Sequence, residues 1–168
     1  KGRTDLLDRT LKLGHERGSV IREMRSGQRF DLGEGVSAVA LNPDGPQRKE
    51  NNNSIVLHLQ YGKTSLLLTG DAEVEAEHQM AMQGKRIHAD ILKLGHHGSH
   101  TSSTESFLDA VAPAVAVISC GRNNKFGHPH MDVIRRCEAH GIRLVRTDQQ
   151  GTIMIRSDGS KLYLSGAR

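Results

Sequence analysis

Two apolar runs with the character of buried strands, Ala89 to Leu94 and Ala114 to Ser119, each pass directly into a polar cluster and then into a helical pattern. That alternation constrains the fold more than any other feature of the chain. Neighbouring parallel strands need a long crossover, usually a helix, and such units build an α/β sheet. The helical patterns here are Thr104 to Val111, stopped by Pro113, and Met131 to His140. Upstream, Ser54 to Tyr61 alternates like a strand, Gly62-Lys63 turns, Ser65 to Thr69 is its hairpin partner, and Ala72 to Met82 is helical in composition. Ile142 to Val145, Thr152 to Arg156 and Leu162 to Leu164 look like closing strands. The first fifty residues are less regular. Thr4 to Leu13 spaces Leu6, Leu7, Leu11 and Leu13 as a helix ended by Gly14, Val20 to Met24 and Val36 to Leu41 are short strand candidates, and Asn42 to Asn53 is a polar surface loop. The expected class is α/β with a mixed sheet, and 168 residues without a repeat or linker read as a single domain, 1–168.

Composition limits the function classes. Aromatic residues make up 3% of the chain, so the core must be mainly Leu, Ile, Val, Ala and Met, and stacking platforms for single-stranded nucleic acid, which need exposed rings, are disfavoured. A net charge of +4 suits anionic partners such as nucleic acid or lipid headgroups. No Lys/Arg run concentrates that charge, so an ordinary solvated surface accounts for it equally well. Cys120 and Cys137 sit in an apolar run and a helical pattern, which reads as two small buried hydrophobes, with no disulfide framework. No signal-peptide pattern and no apolar stretch long enough to span a bilayer is seen, so the chain is expected to be soluble.

Three clusters at strand ends carry the chemistry. In layered α/β folds such ends converge on a common crevice. Thr69-Gly70-Asp71 follows Leu66-Leu67-Leu68, and a carboxylate on such a turn can bridge two metal ions. Taken alone, the plainer reading is that Asp71 caps the helix that follows, with Glu73 enriching its first turn. The second cluster is Gly95-His96-His97-Gly98-Ser99-His100. Imidazoles suit zinc or manganese, and successive side chains at a strand end diverge, so one of His96 and His97 is expected to be a ligand and the other a supporting or substrate contact. Ser102-Ser103-Thr104-Glu105 is a capping-box pattern, and the same helix start could receive a phosphate, with Ser99 as a contact; His100 reads as an exposed loop residue. The third cluster runs from Gly121 to His130. Pro129 stiffens the chain beside His128, which could bind metal or protonate a departing oxygen. Arg122, Asn124 and Lys125 are candidate phosphate or DNA contacts, against the plainer reading of a polar loop.

In order, Asn51-Asn52-Asn53-Ser54, Leu68-Thr69-Gly70-Asp71, Asp90-Ile91-Leu92-Lys93 with His96-His97-Gly98-Ser99, Asn124 with Gly127-His128-Pro129, and Arg146-Thr147-Asp148 with Gly151 resemble the metallo-β-lactamase domain of ComEC-type competence proteins. The match runs from about Asn51 to Ile155. The resemblance implies an αβ/βα sandwich, of which this chain is mainly the C-terminal half, with one or two manganese or zinc ions held between the halves. Asp71 falls at the bridging aspartate, one of His96 and His97 at the late histidine ligand, and His128 at the rim. Asp90 and Asp148 are candidates to orient a ligand histidine, or are ordinary strand-edge carboxylates. The superfamily's His-x-His-x-Asp-His motif is found nowhere in the chain, so a complete metal pair is not expected from these residues alone. The chain is therefore read as part of a longer domain, leaving one sheet face apolar and exposed, to be covered by a second copy or by its upstream half.

The resemblance implies a metal-dependent nuclease that degrades one DNA strand during uptake, joined to a membrane channel and facing the extracytoplasmic side of the inner membrane. Two other readings are a non-catalytic DNA-contacting or structural module of the uptake machinery, and a lactonase or ribonuclease of the same superfamily.

Overall fold

The structure is a computed structural model and describes residues 5–166. Seven strands form one mixed sheet in chain order. They are β1 (Arg29–Gly33), β2 (Val36–Asn42), β3 (Val56–Tyr61), β4 (Thr64–Leu68), β5 (Ile91–Lys93), β6 (Val115–Ile118) and β7 (Arg143–Arg146). The first four run antiparallel and the last four, β4 to β7, are mutually parallel. The switch falls where the hairpin pattern of the sequence gives way to strand–helix alternation, because a two-residue turn can only reverse the chain. The crossovers are α2 (Val74–Ala81), α3 (Glu105–Val111) and α4 (Met131–Ala139).

All three crossover helices share one core with the sheet. Leu67, Leu92, Ala116 and Ile118 meet Met80, Phe107, Val111, Val133 and Cys137, every one of them fully buried. Alternate strand residues such as Leu66, Leu68, Val115 and Val117 lie on the other face and are only partly buried. The register places Leu68, Lys93, Val117 and Val145 side by side across β4 to β7. The carboxyl ends of β4, β5 and β6 therefore reach one edge together, and that edge carries the polar clusters.

Several expectations are corrected. Val20–Met24 is not a strand; the edge strand is β1, whose exposed Arg29, Asp31 and Gly33 hide its period-two pattern. The N-terminal helix α1 (Asp5–Glu16) passes through Gly14. It is closed instead by Gly18 in a left-handed conformation, with Ser19 N–H donating to the Gly14 carbonyl at 2.9 Å. Thr4, the expected start of that helix, lies outside the described residues. Thr152 to Arg156 and Leu162 to Leu164 do not close the main sheet. They form a separate hairpin, β8 (Ile153–Ser157) with β9 (Leu162–Gly166), tied to the sheet by Thr64 and Ser157 hydroxyls 2.6 Å apart. Ile155 and Leu162 of that hairpin share a hollow of about 230 Å³ with Leu59 and Leu66 of the open face. No helix among the described residues is long and apolar enough to cross a membrane.

Candidate metal centre

Asp71 sits three residues before α2, and its side chain is 43% exposed. It is not the cap of that helix: the capping position is Glu73, whose N–H donates to Oδ1 of Asn52 at 2.9 Å. Asn52 and Asn42, expected on a surface loop, are both buried, because Asn42 Nδ2 donates to the carbonyls of Asn52 and Ser54, each at 2.8 Å. The asparagine run is thus the scaffold that starts α2 and frees Asp71. The Asp71 turn is held from both sides, its own N–H donating to Ser54 Oγ at 3.1 Å and Thr69 Oγ1 donating to the Lys93 carbonyl at 2.7 Å.

The two histidines lie in a tight turn, Gly95–Gly98, with both residues left-handed at φ 46° and 57°. Left-handed geometry costs an L-residue roughly 1–2 kcal/mol, so two in succession must be held by their surroundings. Flanking glycines allow it. A Cβ on Gly98 would come within 2.7 Å of Pro129 Cβ, and one on Gly95 within 2.9 Å of the Ala72 carbonyl. His96 N–H donates to the Gly70 carbonyl at 3.1 Å, joining this turn to that of Asp71.

The two rings take different partners, set by the left-handed turn and not by strand alternation. His97 Nδ1 lies 2.7 Å from the Ser119 carbonyl. A carbonyl only accepts, so Nδ1 carries the proton and Nε2 of the neutral ring presents its lone pair. That lone pair lies 3.7 Å from Asp71 Oδ1. Two acceptors so placed repel unless something positive, a proton on Nε2 or a metal ion, lies between them. The separation is long for a direct hydrogen bond and close to the ~3.4 Å expected of two ligands at about 2.1 Å from one tetrahedral ion. The pair therefore fits a divalent cation. Among the described residues no group of three His, Cys, Asp or Glu side chains is arranged to hold one.

His96 directs Nδ1 at Glu73 Oε1, 3.4 Å away, and its ring packs against His128 at 5.6 Å and His97 at 6.4 Å between centroids. Glu73 is the carboxylate that orients a histidine here, steadied by Asn51 and Thr101 at 3.2 and 3.0 Å. The structure does not give that position to Asp90 or Asp148. Asp90 precedes β5 at the opposite strand end, where its Oδ2 accepts from the Ser65 N–H and hydroxyl at 2.7 and 2.8 Å. Asp148 is a bidentate partner of Arg146 at 3.1 and 2.7 Å, and that guanidinium holds its carboxyl below the usual range.

His128 is presented by Asn124, which makes four bonds inside its own loop. Its Oδ1 accepts from Phe126 and His128 N–H groups at 3.2 and 3.0 Å, and its Nδ2 donates to the Gly121 and His128 carbonyls at 2.9 and 2.6 Å. Asn124 is thus a loop staple with its amide fully engaged inside the protein, and the structure does not offer it to a phosphate. His128 Nδ1 is buried and has no hydrogen-bond partner among the described residues. Burial, then the neighbouring imidazoles, push its pKa down and favour the neutral ring. Replacing Asn124 by Ala should cost about 1–3 kcal/mol, measured by urea unfolding, and shift the His128 ring resonances. A change within ±0.5 kcal/mol with unmoved resonances would remove Asn124 from this role.

Ser99 is buried and bonded to Thr101 Oγ1 at 3.0 Å, so it is turned inward. Arg122 and Lys125 are exposed on the rim, Arg122 donating to the Asp148 carbonyl at 3.2 Å. The expected capping box is absent as such: Thr104 caps α3 without a side-chain bond, and Ser103 and Thr104 N–H groups donate to the buried Glu77 carboxylate. Sequence reasoning read Glu73 only as a helix-start acid, quoted Lys93 in a motif without a role, and did not name Glu77. Lys93 ends β5 beside the site, its ammonium donating to the Leu94 carbonyl at 2.7 Å, and burial lowers its pKa while Asp71 opposes the shift. Both cysteines are free and their thiols are pushed up, chiefly by burial, Cys137 to about 11, so neither is a thiolate.

The family model described as Metallo-beta-lactamase superfamily matches residues 22–122. The chain is 39% identical over 150 residues to ComE operon protein 3 of Bacillus subtilis, covering 89% of this chain and 19% of that protein. It is 43% identical over 105 residues to Competence protein ComA of Neisseria gonorrhoeae, covering 62% and 15%. With Recombination protein 2 of Haemophilus influenzae it shares 38% over 121 residues, covering 72% and 15%. The chain spans under a fifth of the length of each of these relatives.

Proposed function

Because the chain belongs to the metallo-beta-lactamase superfamily, as a domain of the ComEC type, we propose that it is part of a metal-dependent phosphodiesterase that cuts DNA during competence. The observation that carries this reading is the opposed pair of acceptors, Asp71 Oδ1 and His97 Nε2, with the tautomer of His97 fixed by Ser119. Asp71 and His97 would hold a manganese or zinc ion, His96 and His128 facing the same space. When bound, such an ion supplies Lewis-acid stabilisation of the phosphoryl oxygens and an activated water at neutral pH. The remaining ligands come, in this proposal, from outside these 168 residues, and so does the membrane channel that would place the domain on the extracytoplasmic side.

The protein's own groups then do the following. Ser119 holds the His97 ring through its Nδ1–H, which would direct Nε2 at such an ion, and Glu73, 3.4 Å from His96 Nδ1, orients the second ring. Lys93 offsets negative charge on Asp71 and on an arriving phosphodiester. Arg122 and Lys125 on the rim steer the DNA backbone. His128 is neutral in the free site, and an anionic phosphate beside it raises its basicity, letting it take up and then deliver a proton to the departing oxygen.

End-labelled DNA incubated with this domain in its complete protein, with manganese or zinc, is expected to be shortened, and a chelator should stop the reaction. Cleavage that persists at full rate in chelator would sink the proposal, as would metal-stimulated hydrolysis of lactones with none of DNA.

A further inference from the structure

The chain has three phenylalanines, two tyrosines and no tryptophan. Phe107 is in the core, whereas Phe126 is 66% exposed, on the loop that presents His128. Single exposed hydrophobes are commonplace and usually mean nothing. This one is different in its setting. Its ring lies nearly parallel to His128, 17° between planes and 6.0 Å between centroids. Together with His97, Cys120, Asn124 and His128 it lines a cavity of about 300 Å³ that opens beside the Asp71–His97 pair. That volume is at the small end of ligand pockets, where ~300 Å³ is typical. The Lys125 ammonium lies 5.2 Å from the centre of the Phe126 ring, so the π face already attracts an electron-poor partner.

We propose that Phe126 is the stacking wall of a subsite for one unpaired nucleobase next to the scissile phosphate, an inference that rests on the phosphodiesterase reading above. A base within a duplex has both faces covered by its neighbours, so it can reach this wall only when unpaired. As the base takes the face of Phe126, Lys125 swings from the ring to the adjoining phosphate. The cavity selects a π face rather than a sequence. Asn124, the side-chain amide in its lining, makes four hydrogen bonds within its loop and has no donor left over to read a base edge. Neutral Cys120 adds only a weak donor.

The test compares a labelled single-stranded oligonucleotide with an abasic one of equal length and charge, by fluorescence anisotropy on the complete protein in chelator so that nothing is cut. The native protein should prefer the base-bearing strand by about 5- to 150-fold, the range of single-base stacking. Phe126→Ala should bring that ratio close to one while leaving abasic affinity within about twofold, and Phe126→Trp should retain it. A ratio that survives Phe126→Ala overturns the proposal. Equal binding of both strands by the native protein overturns it too, while leaving the phosphodiesterase reading intact. Binding of neither strand removes the DNA reading and the subsite together.

Discussion

Asp71→Ala is expected to lower metal-dependent DNA cleavage by about 10³-fold, beyond the ~10- to 100-fold typical of losing a group that merely orients a ligand. The reasoning is local. Asp71 makes no cap bond to α2, and its turn is secured by the backbone N–H to Ser54 and by Thr69, none of which the substitution touches. Stability should therefore stay within about ±0.5 kcal/mol, since the side chain is nearly half exposed. His97→Ala should approach the same loss, because it removes the other acceptor. His96→Ala should cost less, about 10- to 100-fold, if His96 supports the pair without completing it. Single-turnover cleavage with matched metal titrations measures all three. Near-native cleavage by Asp71→Ala would show that the opposed acceptors do not hold the reactive ion. A deeper loss in His96→Ala than in His97→Ala would reverse the assignment of the two rings.

The parts of this site that were legible in the sequence are those written in local chemistry. Glycines around His96-His97 and the buried run before them announce a strand that ends in a tight turn, and the left-handed angles at both histidines are what those glycines permit. Which imidazole faces Asp71 was not legible. It depends on Ser119, twenty-two residues away just past the end of β6, and on a parallel register that no local pattern encodes. The same limit explains the orienting carboxylate. Asp90 and Asp148 stand next to recognisable motifs, but the strand direction carries Asp90 to the far end of β5, and Arg146 claims Asp148 two residues away. Glu73 looked like a helix-start acid, and only the fold brings it against His96 and Thr101. Strand β1 went unread for a different reason. Edge strands carry polar residues on purpose, which erases the alternation by which buried strands are found.

Glu77→Ala is expected to be the most damaging substitution for stability, at about 3–5 kcal/mol, or roughly 6–20 °C in Tm for a chain of this size. Glu77 is completely buried on α2. Its two oxygens accept the N–H groups of Ser103 and Thr104, at 2.5 and 2.8 Å, which are the open donors at the start of α3. From α4, Arg136 donates to the carbonyls of Ser102 and Ser103 in the same turn. Three helices thus grip the segment that runs on from His96 and His97, and Ser103 is held there with a left-handed φ of 58°. Removing the carboxylate orphans two buried donors and leaves the Arg136 charge uncompensated, two penalties that do not relax easily. Glu77→Gln keeps the volume and one acceptor, so about half the loss should return. The pH dependence gives an independent check. Burial is the largest influence on Glu77 and raises its pKa above the ordinary 4.5, against the backbone bonds and Arg136 that lower it. The folded state therefore holds the proton to higher pH than the unfolded chain, and the Glu77 contribution to stability falls as pH rises from about 4.5 to the raised folded value. Urea unfolding across that window should show a downward component in the native protein that is absent in Glu77→Gln. Identical slopes in the two proteins, or a loss below about 1 kcal/mol in Glu77→Ala, would mean that the turn beneath the histidines is held by packing alone.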